Sequence, residues 1–286
     1  MQAIDSPSYC SQDSMQDVTV SELQSHSPPA TSHDFELETY SFPTQRLKPM
    51  LDNSTKTPLV LVACGSFSPP THLHTRMFEM AADYVKENTE YEVIGGFLSP
   101  VGDAYKKAGL APAIHRVQMC KLAADYDSPH CLPGSRTSWI AVDPWEALHT
   151  EYQPTAIVLD HFDQELNKNG GIDNGQGDKI KIHISLLAGA DLIQTMSSPG
   201  VWSTDDLEHI LGNFGVFIIE RADIDVDEAI IALDRWKSNI HVVHQLISND
   251  ISSTKIRMQV KRDMSVRYLI SDRVIEYINE HGLYRS

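Results

Sequence analysis

Residues 62 to 78 read VACGSFSPPTHLHTRMF. An apolar run stops at Gly65, hydroxyls and two prolines crowd a turn, and His72 and His74 follow. These residue types suit the binding of an anion. A strand, a turn with Gly65 and Ser66, and a helix starting near Thr71 present backbone N–H groups to a negative charge. Thr71 and His74 are three apart and share a helical face. An imidazole there can donate to a phosphate oxygen. A strand-to-helix turn with surface histidines would use the same residues.

Three further stretches carry chemistry. In NDISSTKIRMQVKR, from Asn249, Ser252 or Ser253 is a good N-cap. Lys255 and Arg257 then fall near the helix start, where cations oppose the helix dipole and need an anion to justify them. A helix with a basic stripe running on to Lys261 and Arg262 is the plainer reading. SPVGDAYKKAGLAPAIHR, from Ser99, puts Lys106, Lys107, His115 and Arg116 beyond a strand end, as a second phosphate site or as a solvated basic loop. LLAGADLIQTMSSPGVW, from Leu186, offers Gly189 for close backbone approach, Asp191 as an acceptor for ribose or amide groups, and Trp202 as a stacking face. An N-cap Asp and a core Trp explain the same residues. HExxH, EF-hand, GxxxxGK[ST] and GxSxG patterns are absent, so no metal site, P-loop or serine triad is expected.

The elements that must position these residues alternate in type. PLVLVAC, YEVIGGFLSP, SWIAVDPW, IKIHISLLAGAD, VFIIERA and IHVVHQL read as strands. THLHTRMFEMAADYVKEN, AIHRVQMCKLAADY, TAIVLDHFDQELNK, STDDLEHILGNFG, VDEAIIALDRW, SSTKIRMQVKR and SDRVIEYINEHG read as helices. The pattern is that of an α/β fold: a Rossmann-like, doubly wound, mostly parallel sheet with helices on both faces and a C-terminal helical subdomain. Ligands in such folds sit beyond the carboxyl ends of strands. The strands ending at Cys64, Leu98, Leu187 and Leu246 are therefore expected to point at the site. Residues 1–50 read as a mostly disordered extension, rich in Ser, Gln, Pro, Thr and Asp, whose last stretch, TYSFPTQRLKPML, can pack on the domain. Residues 51–286 read as the folded domain, with a mobile Gly/Asn/Asp loop at about 168–179.

The chain of 286 residues is 41% apolar, enough for a sizeable core. No segment approaches roughly 18 continuous apolar residues, and no signal pattern opens the sequence, so no membrane span is expected. Cys10, Cys64, Cys120 and Cys131 show no paired spacing, which fits a reducing setting. Cys64 and Cys120 read as space-filling. A formal charge of −16 argues against nucleic acid as a partner. It also requires that any phosphate be held by bases gathered locally.

Together these stretches resemble the eukaryotic nicotinamide mononucleotide adenylyltransferases, of the nucleotidylyltransferase superfamily. The superfamily's His/Thr-x-Gly-His motif stands here as Thr71-His72-Leu73-His74, with Leu73 in place of the glycine. GSFSPPTHLH, SPVGDAYKKAGL, DPWEAL, GADL, SNIHVV, NDISSTKIR and VRYLISDRVIEYINEHGLY follow in the family's order over roughly residues 58–286. The resemblance implies transfer of AMP from ATP to nicotinamide mononucleotide, and to nicotinic acid mononucleotide, giving NAD or deamido-NAD and pyrophosphate. It places Gly65, Ser66, Phe67 and His74 near the ATP phosphates, with Ser253, Thr254, Lys255, Ile256 and Arg257 around the β- and γ-phosphates. Lys107, Tyr152, Thr155, Gly189, Asp191, Val201, Trp202, Arg221 and Asn249 are implied on the mononucleotide and dinucleotide side, with Tyr152 where some relatives have Trp.

The implied nucleophile is the mononucleotide's own ionised 5′-phosphate, so neither a protein base nor a covalent intermediate is required. His74 and Arg257 are the expected catalytic donors, His72, Lys106 and Lys255 are expected at the same mouth, and Mg²⁺ is expected to arrive with ATP. A homo-oligomer, in the nucleus or cytoplasm, is expected from the family. Another nucleotidyltransferase of the same fold and a chaperone-type second role are the competing readings.

Overall fold

The computed structural model describes residues 40–125, 138–220, 226–247 and 249–285. Its centre is a six-stranded parallel sheet in which β1 (Thr57–Gly65) lies between β2 (Tyr91–Pro100) and β6 (His183–Gly189). Beyond β2 lies β3 (Ile140–Val142); beyond β6 lie β7 (Val216–Ile219) and β8 (Ile240–Val243). The short β4 (Ile172–Asp173) and β5 (Lys179–Ile180) pair antiparallel as a separate hairpin within the Gly/Asn/Asp loop.

Alternation along the strands explains the layers. In β1, Leu59, Leu61 and Ala63 join one apolar cluster while Val60 and Val62 join another. Leu187, Phe217 and Ile219 follow the first, and Ile184, Leu186, Val216 and Ile218 the second. A strand buried on both faces reads as continuous hydrophobicity, as in PLVLVAC. α1 (His72–Asn88) covers the first face with Leu73, Met77, Phe78, Ala81 and Val85, helped by Cys120 and Ala124 of α2 (Ala113–Ala124). The four-residue α3 (Trp145–Leu148) follows β3. α4 (Thr155–Asn167) and α5 (Ala190–Ser197) cover the second face. Burying each such Leu, Ile or Phe stabilises the fold by roughly 1.5–3 kcal/mol before chain entropy is counted.

The STDDLEHILGNFG helix is shorter than its pattern predicts. It runs as α6 (Thr204–Leu207), capped by Ser203, and then widens into a π-helical turn over Glu208–Phe214. The Asn239 side-chain amide donates to the carbonyls of Leu211 and Gly212 at 2.9 and 3.2 Å, which satisfies groups that a regular helix would pair internally. α7 (Val226–Ala232) leads to β8, which stops at Val243, three residues before the expected end. α8 (Ser253–Lys261) and α9 (Asp272–Glu280) build the C-terminal subdomain around Ile256, Val260, Val266, Ile270, Val274 and Ile278, with Met119 of α2 packed among them.

The stretch 40–51 packs on the domain. Phe42 and Leu51 are buried in the second-face cluster, and Tyr40 and Leu47 pack against it. The β1–β2 register skips a residue at Ile94, and the Ile94 carbonyl accepts from Lys48 N at 2.8 Å. A bulge thus frees one backbone group for the strap to use.

Candidate active site

The sheet order runs outward in both directions from β1 and β6, so their carboxyl ends flank the point where the winding reverses. A crevice opens there in such sheets because the following connections leave to opposite faces. A cavity of about 500 Å³ occupies it. Gly65, Ser66 and Phe67 line it from the turn after β1, Gly189, Asp191 and Thr195 from β6 and α5, and Ser253, Thr254 and Arg257 from α8. Leu73, His74 and Met77 add a wall from α1, and Tyr105 and Lys107 from the loop after β2.

Local sequence dictates the turn. A Cβ on Gly65 would lie 3.1 Å from the Phe67 ring, so a side chain there would have to displace the ring. Phe67 itself takes a φ of 43° and sets its ring edge-on to His74, with centroids 5.2 Å apart. Thr71 is the N-cap of α1, and its backbone N–H donates to His74 Nδ1 at 2.9 Å, with Thr71 Oγ1 2.8 Å from the same nitrogen. With Nδ1 accepting, the proton of the neutral ring sits on Nε2, the donor that a phosphate oxygen needs. At Gly189 a Cβ would meet nothing within 4 Å, because the cavity itself lies there.

The turn is held from the other end of the chain. Arg257 Nη1 donates to Ser68 O at 2.8 Å, its Nη2 to Thr254 Oγ1 at 3.2 Å, and Ser253 Oγ to Pro69 O at 2.8 Å. Ser68 Oγ lies 2.8 Å from the Tyr284 hydroxyl and accepts from Ala111 N at 2.9 Å. Ser252 is the N-cap of α8 and its hydroxyl accepts from Lys255 N. The starts of α1, α5 and α8 all meet the cavity, so three helix N-termini and three basic side chains, His74, Lys107 and Arg257, surround one space. That arrangement can hold a polyanion in an otherwise acidic protein.

Other residues named from the sequence stand elsewhere. Lys255 turns to Asp250, 2.5 Å away, and Ile256 is buried in the C-terminal core. His72 and Lys106 lie outside the cavity lining. Arg116 is fully buried: it donates to Ala111 O at 2.8 Å, to Ser66 O at 3.2 Å and to Asp103 Oδ1 at 3.2 Å. It ties the β2 loop to the β1 turn. His115 pairs with the Tyr277 hydroxyl at 2.9 Å instead of facing the cavity. Tyr152 is half exposed and stacks on Tyr105 at 5.9 Å, and Thr155 opens α4. Trp202 Nε1 donates to Thr195 Oγ1 at 3.1 Å, Val201 is exposed beside it, and Asn249 Oδ1 accepts from Ile251 N at 3.0 Å. Thr195 and Ile251 line the cavity, so these residues border it at one remove. Arg221 lies outside the described residues, as do Cys10 and Cys131.

Sequence patterning missed one residue lining the cavity and one buried acid outside its lining. Cys64, expected only to fill space, lines the cavity, and burial pushes its thiol well above the ordinary range. Glu146 is buried and accepts from Ser99 Oγ at 2.7 Å. Burial pushes its carboxyl up to about 8, with the Ser99 hydrogen bond opposing the shift. Burial, and then the Glu146 charge, raise the pKa of Tyr152. An acid within the DPWEAL stretch could have been noticed as an ionisable residue beside a strand end.

The cytidylyltransferase-like family model matches residues 62–259, which include every described cavity element up to α8. The chain is 52% identical over 252 residues to nicotinamide/nicotinic acid mononucleotide adenylyltransferase 1 of Saccharomyces cerevisiae, covering 87% of this chain and 61% of that protein. It is 52% identical over 255 residues to the Schizosaccharomyces pombe nicotinamide/nicotinic acid mononucleotide adenylyltransferase, at 88% and 67% coverage. With the Bos taurus nicotinamide/nicotinic acid mononucleotide adenylyltransferase 1 it shares 40% over 268 residues, at 82% and 92% coverage. The chain thus spans about three fifths of the budding-yeast relative's length. The fold is also that of Plasmodium falciparum nicotinic acid mononucleotide adenylyltransferase complexed with APC, with a TM-score of 0.54 at 21% identity and 79% and 96% coverage.

Proposed function

The chain belongs to the cytidylyltransferase-like family and, within it, to the nicotinamide/nicotinic acid mononucleotide adenylyltransferases, and from that premise we propose that it transfers AMP from ATP to nicotinamide mononucleotide and nicotinic acid mononucleotide. The products are NAD or deamido-NAD, and pyrophosphate. The observation that carries this reading is the meeting of three helix N-termini with His74, Lys107 and Arg257 around one cavity at the sheet's switch point.

The chemistry asks for little beyond that. The mononucleotide's 5′-phosphate attacks the α-phosphorus of ATP, and the bond to the bridging oxygen of pyrophosphate breaks. The attacking phosphate is already ionised, so no side chain needs to take a proton. The protein must hold two anions in line and offer donors where charge accumulates. His74 Nε2–H and the Arg257 guanidinium serve the triphosphate, assisted by Ser253 and Thr254. Lys107, Tyr105 and Tyr152 face the mononucleotide, and Asp191 accepts from a ribose.

A divalent ion fits this donor set only as a companion of the nucleotide. Among the described residues no group of three His, Cys, Asp or Glu is arranged to hold one, and Asp191 is the carboxylate lining the cavity. Phosphate oxygens and water would mainly hold Mg²⁺, which would neutralise phosphate charge when bound.

The test is pyrophosphate release from ATP with each mononucleotide separately, and chromatographic identification of the dinucleotide. Turnover that depends on either mononucleotide supports the reading. ATP consumed with neither, or with an unrelated phosphate acceptor only, refutes it.

A further inference from the structure

The strap at residues 40–51 begins with Tyr40, whose hydroxyl meets a buried carboxylate. Asp143 is 1% exposed. A carboxylate so buried needs donors for both oxygens. Oδ1 accepts from the Tyr40 hydroxyl at 2.9 Å and from Trp145 N at 3.1 Å. Oδ2 lies 2.9 Å from His161 Nε2, which is 3.1 Å from the Tyr40 hydroxyl oxygen. Phenol, imidazole and carboxylate therefore close a triangle. Burial, and then Asp143, push the Tyr40 hydroxyl far up, so the phenol remains a donor.

What the triangle holds leads to the site. Trp145 stacks on His161 with centroids 4.2 Å apart and planes at 7°. Trp145 opens α3, whose next residue is Glu146, hydrogen bonded to Ser99. A Cβ on Gly102 would stand 3.1 Å from Glu146 O and 3.3 Å from His149 O, so this turn packs directly on the Gly102 backbone. Gly102 begins the turn that delivers Tyr105 and Lys107 to the cavity. The strap is fixed independently of the triangle: Leu47 fills the space where a Cβ of Gly95 would be, and Phe42 packs on Phe97 at 5.2 Å.

We propose that Tyr40 is a positioning residue for the mononucleotide side of the site, acting through Asp143 and the Trp145 turn on Glu146, Tyr105 and Lys107. The proposal rests on the adenylyl-transfer reading above. It assigns the strap a part in substrate affinity as well as in packing, because a Phe at position 40 keeps the ring and loses only the donor.

The experiment is steady-state kinetics of the 286-residue Tyr40→Phe chain, each substrate varied in turn. The KM for nicotinamide mononucleotide should rise about three- to tenfold, the upper end being reached only if the whole worth of the lost buried hydrogen bond is coupled to binding, while the KM for ATP stays within about twofold. In Asp143→Asn and the double variant the losses should not add, because Tyr40 acts through Asp143. Unchanged mononucleotide KM, an equal rise in both KM values, or additive losses would overturn the proposal while wild-type turnover leaves the activity standing. A wild-type chain with no turnover overturns the activity, and this assignment with it. Should Tyr40→Phe fail to fold, Asp143→Asn and His161→Gln carry the same comparison of the two KM values.

Discussion

Arg257 Nη1 and the carbonyl oxygen of Ser68 are 2.8 Å apart, across 189 positions of sequence. A side chain of α8 thereby holds the turn that follows β1. The same side chain makes this structural contact and lines the cavity.

Arg257→Ala should lower kcat by roughly 10²-fold, the loss expected when one preorganised donor to developing charge is removed. Arg257→Lys keeps the charge but not the planar fork, and should recover only part of the rate. Far-UV circular dichroism should match wild type in both. Near-wild-type turnover in the alanine variant would contradict the assignment.

His74→Ala should lose a comparable factor in kcat. Thr71→Ala should lose less, because the Thr71 backbone N–H still donates to Nδ1 and keeps the ring oriented. Equal losses in the two variants would show that the hydroxyl, not the backbone, sets the imidazole.

Glu146 makes stability depend on pH. An ordinary glutamate titrates near 4.3, whereas this one is pushed up to about 8. The folded chain thus keeps a proton that the unfolded chain releases. The contribution is complete below the ordinary carboxylate range and fades as pH rises toward 8. The Tm of wild type minus that of Glu146→Gln should therefore fall between about pH 5 and pH 8. Parallel Tm curves would exclude this origin.

Arg116→Met should destabilise strongly. It leaves the buried carbonyl of Ala111 and the part-buried carbonyl of Ser66 without this donor, at about 1–3 kcal/mol for a buried group left unpaired. Thermal unfolding should show a Tm lower by many degrees. A loss no larger than that of an exposed Arg76→Met control would refute the role.

How much of this was legible in the sequence follows from distance along the chain. The Thr71–His74 pair and Gly189 are local and legible from residue type with spacing, and the sequence narrows the cap of α8 to Ser252 or Ser253, of which the structure selects Ser252. The parallel sheet was equally legible, because a strand covered on both faces leaves a continuous apolar run. Arg116 and Lys255 are less legible for the opposite reason: sequence shows a cation but not that carbonyls engage the one and Asp250 the other. Tyr40 and Asp143 are 103 positions apart, and no local pattern links them. The widened turn at Glu208–Phe214 depends on an amide from Asn239, again a remote partner.

Arg46 gives the strap a second meaning. Its guanidinium donates to Ala124 O, where α2 ends, and to Ile140 O, where β3 begins, and pairs with Asp125. One side chain thus joins the end of α2 to the start of β3. The exit of one helix and the entry of one strand are thereby moored to each other directly, through a guanidinium that belongs to neither.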